Sequence, residues 1–496
     1  MKSVSDWLES SAANAPAALA LLDGERQLGF GELLSSAKAL AGGLRASGLR
    51  PRERVVLLLD KSFEAVAAIH AVLRSGCAYV PLSPAEPVER LADALDTCRP
   101  RLVIVRDERA VGERLRSALS GATVVTLQQL QALSATAHEV PRADELGSPA
   151  AVLMTSGSTG KPKGVVITHA NLAAFTAWGR DAFVVTGNDR LLSHAPLEFD
   201  LSFFDLFVAC AARAATLLTT PRALGAAELC ARVRAAGVTI WQSVPSAIAL
   251  LGESCGRGVK AMPQVRAVLF AGERMPRPTL VRCKELFPNA RLYNIYGATE
   301  TNDTFMYSVP DDLALAPDPL PIGRPLPLVR YRIVDDAGVD VAPGAAGQLL
   351  VSAPTSLAGY LRAGAEFEPA PSEFSTRDLC SLGPDGEARF LGRVDSVLKS
   401  NGFRVNALEV EDQLCRCEAV AEAAVLAVPD AKLGTRMVAV VCLKEGNRST
   451  ALELRVHCAK RLPGYAIPHQ FEIVRESLPT NSNGKVDKRS LTLKYG

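Results

Sequence analysis

Residues 155–164 read Thr-Ser-Gly-Ser-Thr-Gly-Lys-Pro-Lys-Gly, and what flanks them decides the fold class. The apolar, β-branched runs at 150–154 and 165–168 both read as strands, so the loop joins strand to strand. A Walker loop joins strand to helix, and its spacing fails here because Gly160-Lys161 is followed by Pro162. The composition still suits an anion. Gly157 and Gly160 let backbone N–H groups converge, Thr155, Ser156, Ser158 and Thr159 add donors, and Lys161 and Lys163 add charge. A flexible linker would not carry strand-like runs on both sides.

Outward from this loop, helix-period and strand-period segments alternate. The pattern predicts helices at 30–46 and 63–75 and strands at 55–59, 102–105 and 123–126. After the loop, Thr168 is placed to N-cap a helix from His169 to about Trp178, and a helix at 226–236 precedes a strand at 238–241. Such alternation implies parallel α/β sheets covered by helices on both faces. Residues 310–355 differ: six prolines between Pro310 and Pro327 precede short runs at 331–334 and 347–352, which read as loops and antiparallel strands of a small distorted β-barrel. After Gly392-Arg393-Val394-Asp395 a helix–strand pattern runs to the end. A boundary at Asp395 divides the chain into an N-terminal domain, 1–394, and a small mobile α+β C-terminal domain, 395–496.

Composition sets outer bounds. A chain of 496 residues exceeds one compact core. Its 48% hydrophobic and 22% charged content is that of a globular protein, and a net charge of +2 selects neither nucleic acid nor an anionic membrane as partner. The eleven cysteines and six histidines show no metal-ligand spacing, and reduced thiols are the expectation. Asp6, Glu9, Asp23 and Glu25 interrupt any signal-like run, and no segment reaches 18 uninterrupted apolar residues. A cytoplasmic protein is expected.

Three further stretches complete the pattern of the first loop: Asn294-Ile295-Tyr296-Gly297-Ala298-Thr299-Glu300, Ser375-Thr376-Arg377-Asp378-Leu379, and Asn483-Gly484-Lys485-Val486-Asp487. In this order they resemble the signatures of the adenylate-forming superfamily, which activates carboxylates as acyl-adenylates. The resemblance implies ATP and Mg²⁺ as cofactors. It implies that Thr155, Ser156, Gly157, Ser158, Thr159 and Lys163 cradle phosphates, and that Gly272 and Glu273, after Ala271, edge the adenine with Asn294 nearby. Tyr296 would stack on the base, Thr299 would bond the α-phosphate, and Glu300 would hold the metal. Asp378 would chelate the ribose hydroxyls and Arg393 would reach ribose or phosphate. Asp395 would be the hinge, with the 399–405 loop and Glu409-Val410-Glu411 beyond it, and Lys485 the catalytic cation that stabilises charge in the transition state. Two departures stand out: Ala298 where many amino-acid activators carry Pro, and Arg377 where the superfamily usually carries Gly. An arginine resists the φ > 0 that glycine allows.

Asp200 bears on the subclass. A carboxylate inside His-Ala-Pro-Leu-Glu-Phe-Asp-Leu-Ser-Phe-Phe (194–204) is costly unless a cation meets it; the other reading is a helix-starting Asp that caps its own backbone. The resemblance is to enzymes in which this Asp pairs with a substrate α-ammonium, such as peptide-synthetase adenylation domains and stand-alone D-alanine or L-proline carrier-protein ligases. It places Asp200, Leu201, Phe204, Gln242, Leu269, Ala271, Ile295, Asp303 and Thr304 around the amino acid, closed by Lys485. Bulky Phe204, Leu269 and Ile295 favour a small neutral amino acid. Asp303 and Gln242 leave open a hydroxyl, a short basic side chain, or a pairing with each other. No Gly-Gly-x-Ser stretch is present to accept a phosphopantetheine arm, so the thiol acceptor is expected on a separate carrier protein. The alternative is an acyl-CoA ligase, against which Asp200 speaks.

Overall fold

The computed structural model describes residues 2–108, 111–119, 121–134, 145–156, 162–219, 225–254, 261–365, 367–394, 397–400, 403–430, 434–460, 462, 464–481 and 486–495. Gly157, Ser158, Thr159, Lys161, Asp395 and Lys485 therefore lie outside the described residues, as does the side chain of Ser156. Two compact units emerge. The first comprises Met1–Arg330 and Val351–Phe374, the second Tyr331–Leu350 and Ser375–Gly496.

The first unit is built on two sheets. One runs in the order Arg324–Pro325, Asn302–Ser308, Arg291–Ala298, Ala267–Ala271, Ile240–Ser243, Arg190–Ser193, Ala215–Leu218, Leu19–Asp23, Arg26–Gly29. Its central pairings are parallel and its edges antiparallel. The other runs Glu368–Pro369, Gly359–Leu361, Pro162–Thr168, Pro149–Ser156, Ala78–Leu82, Arg54–Leu58, Leu102–Val105, Thr123–Thr126. Side-chain alternation explains the layering. Ile240, Leu269 and Ile295 from the first sheet share one core with Val55, Leu57 and Ile104 from the second and with helices Phe30–Ala46 and Phe63–Arg74. Trp241, Val268 and Phe270 face the other way into a second core with helices Ala226–Ala235 and Arg277–Leu286. Val56, Val80 and Val103 form a third with Val88–Cys98. Each parallel sheet is thus covered on both faces, as its near-continuous apolar strands require.

Local chemistry sets the ends. The helix expected at 30–46 is Phe30–Ala46. Thr168 caps His169–Ala182 with a reciprocal capping box through Asn171. The strand expected at 238–241 is Ile240–Ser243, because the polar pair Gln242 and Ser243 is buried at its end.

In the second unit, Arg330–Val334, Gly347–Ser352, Phe374–Leu382 and Ala388–Arg393 form a four-stranded sheet in that order. These include the short strands expected at 331–334 and 347–352, and Val334, Leu349, Val351, Cys380 and Ala388 are buried on them. The unit also begins earlier in the chain than Asp395. Val420–Asp430, Gly434–Leu443 and Gln470–Val474 make a second sheet with cores on both faces. There Glu411, of Glu409-Val410-Glu411, accepts from the Val425 N–H at 2.6 Å and pairs with Lys488 Nζ at 2.6 Å.

Candidate active site

In the larger sheet of the first unit the chain passes from Arg190–Ser193 to Ala215–Leu218 on one side, then to Ile240–Ser243 on the other. Ligands of open α/β sheets bind outside the carboxyl ends of strands at such a reversal. His194 and Ser243 mark the point, with Nδ1 3.2 Å from Oγ. Burial pushes the His194 imidazole down to about 4, and the Lys61 charge adds to it, so the ring is neutral at pH 7.

The phosphate loop is held by a hairpin: Pro149–Ser156 pairs antiparallel with Pro162–Thr168, and Thr155 is registered with Lys163. Thr155 Oγ1 is buried without a hydrogen-bond partner among the described residues, an unmet donor that suits a phosphate oxygen. Lys163 Nζ bonds Glu300 Oε1 at 2.7 Å, although 137 residues separate them. Tyr360 joins this pair: its hydroxyl donates to Glu300 Oε1 at 3.4 Å, and its ring lies 4.4 Å under the Lys163 ammonium. Burial, aided by the Glu300 charge, pushes the Tyr360 hydroxyl up, so it remains a donor. No motif in the sequence marks Tyr360; it lies on the short strand Gly359–Leu361, which pairs with the lysine's strand.

The Tyr296–Glu300 stretch owes its shape to close backbone approach. Gly297 opposes Asp303 across a register shift, and a Cβ there would sit 1.8 Å from the Asn302 carbonyl oxygen. Asn302 adopts φ +55°, and Thr299 and Glu300 lie in the resulting turn. Thr304 Oγ1 donates to the Tyr296 carbonyl at 3.1 Å. Asn294 Nδ2 donates to the Pro321 carbonyl at 2.8 Å, so this amide braces the strand. Gly272 takes φ +82° after Ala271. Glu273 binds the Ser246 N–H and hydroxyl at 2.9 and 3.0 Å, at the start of helix Pro245–Ser254.

Asp200 sits half-buried at the start of a single helical turn, Leu201–Phe203, makes no side-chain capping bond, and accepts from the Leu201 and its own backbone N–H. Burial pushes its carboxyl up to about 6; the Leu201 N–H offsets part of this and the Glu300 charge adds to it. Asp303 is raised well above the ordinary carboxylate range, by burial first and by the Asp200 charge second. These three carboxyls therefore share one electrostatic neighbourhood. Phe204, Leu269, Ala271 and Ile295 are buried around the same core, and Gln242, registered with Leu269, shares their sheet face.

A residue pair absent from the motif pattern supports this segment. Lys61 Nζ donates to the Ser193 and Ala195 carbonyls at 2.8 and 2.5 Å. Burial lowers it to about 8, opposed by the charges of Asp205 and Glu198. Asp205 lies in the π-helical turn Phe204–Val208, fully buried. Lys61 thus clamps the chain entering the Asp200 loop. An acidic residue in the apolar run after Asp200 is the available sequence signal; its lysine partner has none.

In the second unit, Asp378 and Arg393 are registered opposite each other, with Arg393 Nη1 3.2 Å from Asp378 Oδ1. Arg377 takes φ +58°, so the chain holds the left-handed turn that glycine usually provides. Among the described residues no His/Cys/Asp/Glu group could hold a metal ion by itself, no helix is long and apolar enough to cross a membrane, and the cysteines are free.

Thr155 and Lys163 stand opposite each other across the hairpin of Pro149–Ser156 and Pro162–Thr168, and Lys163 meets Glu300, a set of groups suited to a nucleotide phosphate. The AMP-binding enzyme model matches residues 8–361, and the AMP-binding enzyme C-terminal domain model matches residues 409–485. The chain belongs to the AMP-binding enzyme family. It is 37% identical to an L-proline–[L-prolyl-carrier protein] ligase of Streptomyces coelicolor, covering 95% of this chain and 92% of that one. It is 31% identical to a D-alanine–D-alanyl carrier protein ligase of Lactiplantibacillus plantarum, covering 93% of each. Its fold resembles that of the O-succinylbenzoate coenzyme A synthetase of Bacillus subtilis in complex with ATP and magnesium ion, with a TM-score of 0.83 and 25% identity over 98% of this chain and 99% of that one.

Proposed function

We propose that the chain activates an amino acid with ATP and Mg²⁺ as its aminoacyl-adenylate, releasing pyrophosphate, and passes the aminoacyl group to the phosphopantetheine thiol of a separate carrier protein. The observation that carries this reading is Asp200: a half-buried carboxyl at the start of a helical turn, pushed up to about 6, with no side-chain capping bond. Such a group is relieved by an ammonium and gains nothing from a plain carboxylate. The carrier-protein ligases among the relatives support the same acceptor.

The substrate carboxylate attacks the α-phosphorus and pyrophosphate leaves. Thr155 and Lys163 bind phosphate oxygens, and Lys163 does so by exchanging its 2.7 Å contact with Glu300. The free Glu300 carboxylate, hard and anionic, fits Mg²⁺, which would be held there with phosphate oxygens and would neutralise their charge. Tyr360 steadies Glu300 through its hydroxyl. We assign Tyr296 and Gly272 to the base, Asp378 and Arg393 to the ribose side, and Lys485 to the charge that accumulates during attack. Asp395 is assigned as the hinge that alternates the C-terminal residues between adenylation and thiolation.

Amino-acid-dependent ATP–pyrophosphate exchange tests the reading. Exchange is expected with amino acids and not with the same acids lacking the α-amino group. Preference for the deaminated acids, with transfer to free coenzyme A, would assign an acyl-CoA ligase instead.

A further inference from the structure

We propose that the amino acid activated here carries a second amino group on a short side chain, received by Asp303 and Gln242 while Asp200 holds the α-ammonium. The inference rests on the amino-acid reading above and names the class of its substrate.

Two acceptors on residues assigned to the amino-acid site are buried without partners among the described residues: Asp303 Oδ2 and Gln242 Oε1. Asp303 is 8% exposed and Gln242 2%. Buried polar atoms in folded proteins are almost always hydrogen-bonded, so an orphan pair in a pocket points to a ligand that supplies donors. Nearby polar groups are spoken for. Thr304 Oγ1 donates to the Tyr296 carbonyl, and the Asp303 N–H is taken by the Asn302 side-chain oxygen at 2.7 Å.

Both orphans sit near other residues assigned to the amino acid. Gln242 is registered with Leu269 and alternates with Trp241, so it shares the sheet face of Ile240, Leu269 and Ala271. The Asp200 charge adds to the upward shift of Asp303, so the two carboxyls are electrostatic neighbours. Charge counting then discriminates between substrates. Glu300 is neutralised by Lys163, leaving Asp200 and Asp303 as two carboxyls without a described cation. A neutral amino acid brings one ammonium and leaves the second carboxyl to be protonated. A hydroxyl amino acid brings one further donor, too few for both orphans, and no charge. A diamino acid brings two ammonium groups for two carboxyls, and the second supplies three N–H donors for the acceptors of Asp303 and Gln242. Fully buried Phe204 and Leu269 limit the length, favouring 2,3-diaminopropionate, 2,4-diaminobutyrate or ornithine over lysine.

The test is ATP–pyrophosphate exchange by the full chain with these three acids, lysine, the neutral isosteres 2-aminobutyrate and norvaline, and serine, alanine and proline. The expected result is a kcat/KM at least tenfold higher for one short diamino acid than for its neutral isostere. Asp303→Val is then expected to shift that ratio at least tenfold toward the isostere, with its thermal unfolding midpoint confirming a folded chain. The wild-type ranking decides the matter even if the variant fails to fold. Proline, alanine, serine or another monoamino acid preferred by the wild type overturns this inference and leaves amino-acid activation standing. Exchange driven only by carboxylates without an α-amino group overturns the proposed function, and this inference with it.

Discussion

Replacing Asp200 by asparagine should weaken the enzyme and strengthen the empty fold. Burial pushes the Asp200 carboxyl from 3.8 up to about 6. Each tenfold in a proton equilibrium is about 1.4 kcal/mol, so the ionised carboxylate carries roughly 3 kcal/mol of unfavourable free energy at pH 8. The substrate ammonium relieves that burden on binding, and the amide of the variant has no charge to offer it. For Asp200→Asn, kcat/KM for the amino acid should fall about a hundredfold, while KM for ATP changes less than about threefold. The same change removes the burden from the unliganded fold. At pH 8 its thermal midpoint should therefore equal or exceed wild type, by up to a few degrees. The sign with pH follows from a raised carboxyl: wild-type stability is recovered as pH falls through about 6, and fully only below 3.8, where Asp200 is protonated in both states. The advantage of the variant should thus shrink at pH 5, and amino-acid KM in wild type should rise over the same range. Exchange kinetics and thermal melts at pH 5 and 8 are sufficient. A variant that keeps amino-acid kcat/KM within threefold of wild type, or melts several degrees earlier at pH 8, refutes the reasoning.

Three further outcomes follow from single positions. Lys485→Ala should cut exchange at least about a hundredfold without lowering the melting midpoint, since one transition-state charge partner contributes about 3 kcal/mol; exchange at the wild-type rate would remove Lys485 from the mechanism. Gly297→Ala places a Cβ 1.8 Å from the Asn302 carbonyl oxygen, so the hairpin must open, at a cost of about 3 kcal/mol or more by overpacking; a wild-type melt would contradict the close approach. Arg377→Gly should leave stability within about 1 kcal/mol, because relief of a left-handed L-residue and the added freedom of the unfolded glycine nearly cancel; a loss beyond about 2 kcal/mol would show that the arginine side chain holds the turn.

Much of the site is legible from residue type and order. The strand–loop–strand reading of 150–168 reappears as a hairpin with Thr155 opposite Lys163, because β-branched runs flanking a glycine-rich loop have few other solutions. Asp200 stands out because an acid in an apolar run requires a partner. Asp205, in the same run, is harder to read because its partner Lys61 lies far back in the chain, after the first strand of the other sheet. Tyr360 escapes sequence reasoning for the same reason: its role depends on a strand pairing that brings residue 360 beside residue 165. The short strands at 331–334 and 347–352 are legible as strands, but their order in the sheet is not, because their further partners come from residues 374–393.

The sequence by itself determined the elements, their alternation and the strand pair that flanks residues 157–161, since these depend on the spacing of apolar and glycine residues over short stretches. Only the tertiary structure decided which charges meet. It joined Lys163 to Glu300 across 137 residues, set Asp378 against Arg393, and left Asp303 and Gln242 buried with acceptors unmet among the described residues. Pairing and desolvation depend on what packs around a group in three dimensions, and that environment comes from segments far apart in the chain.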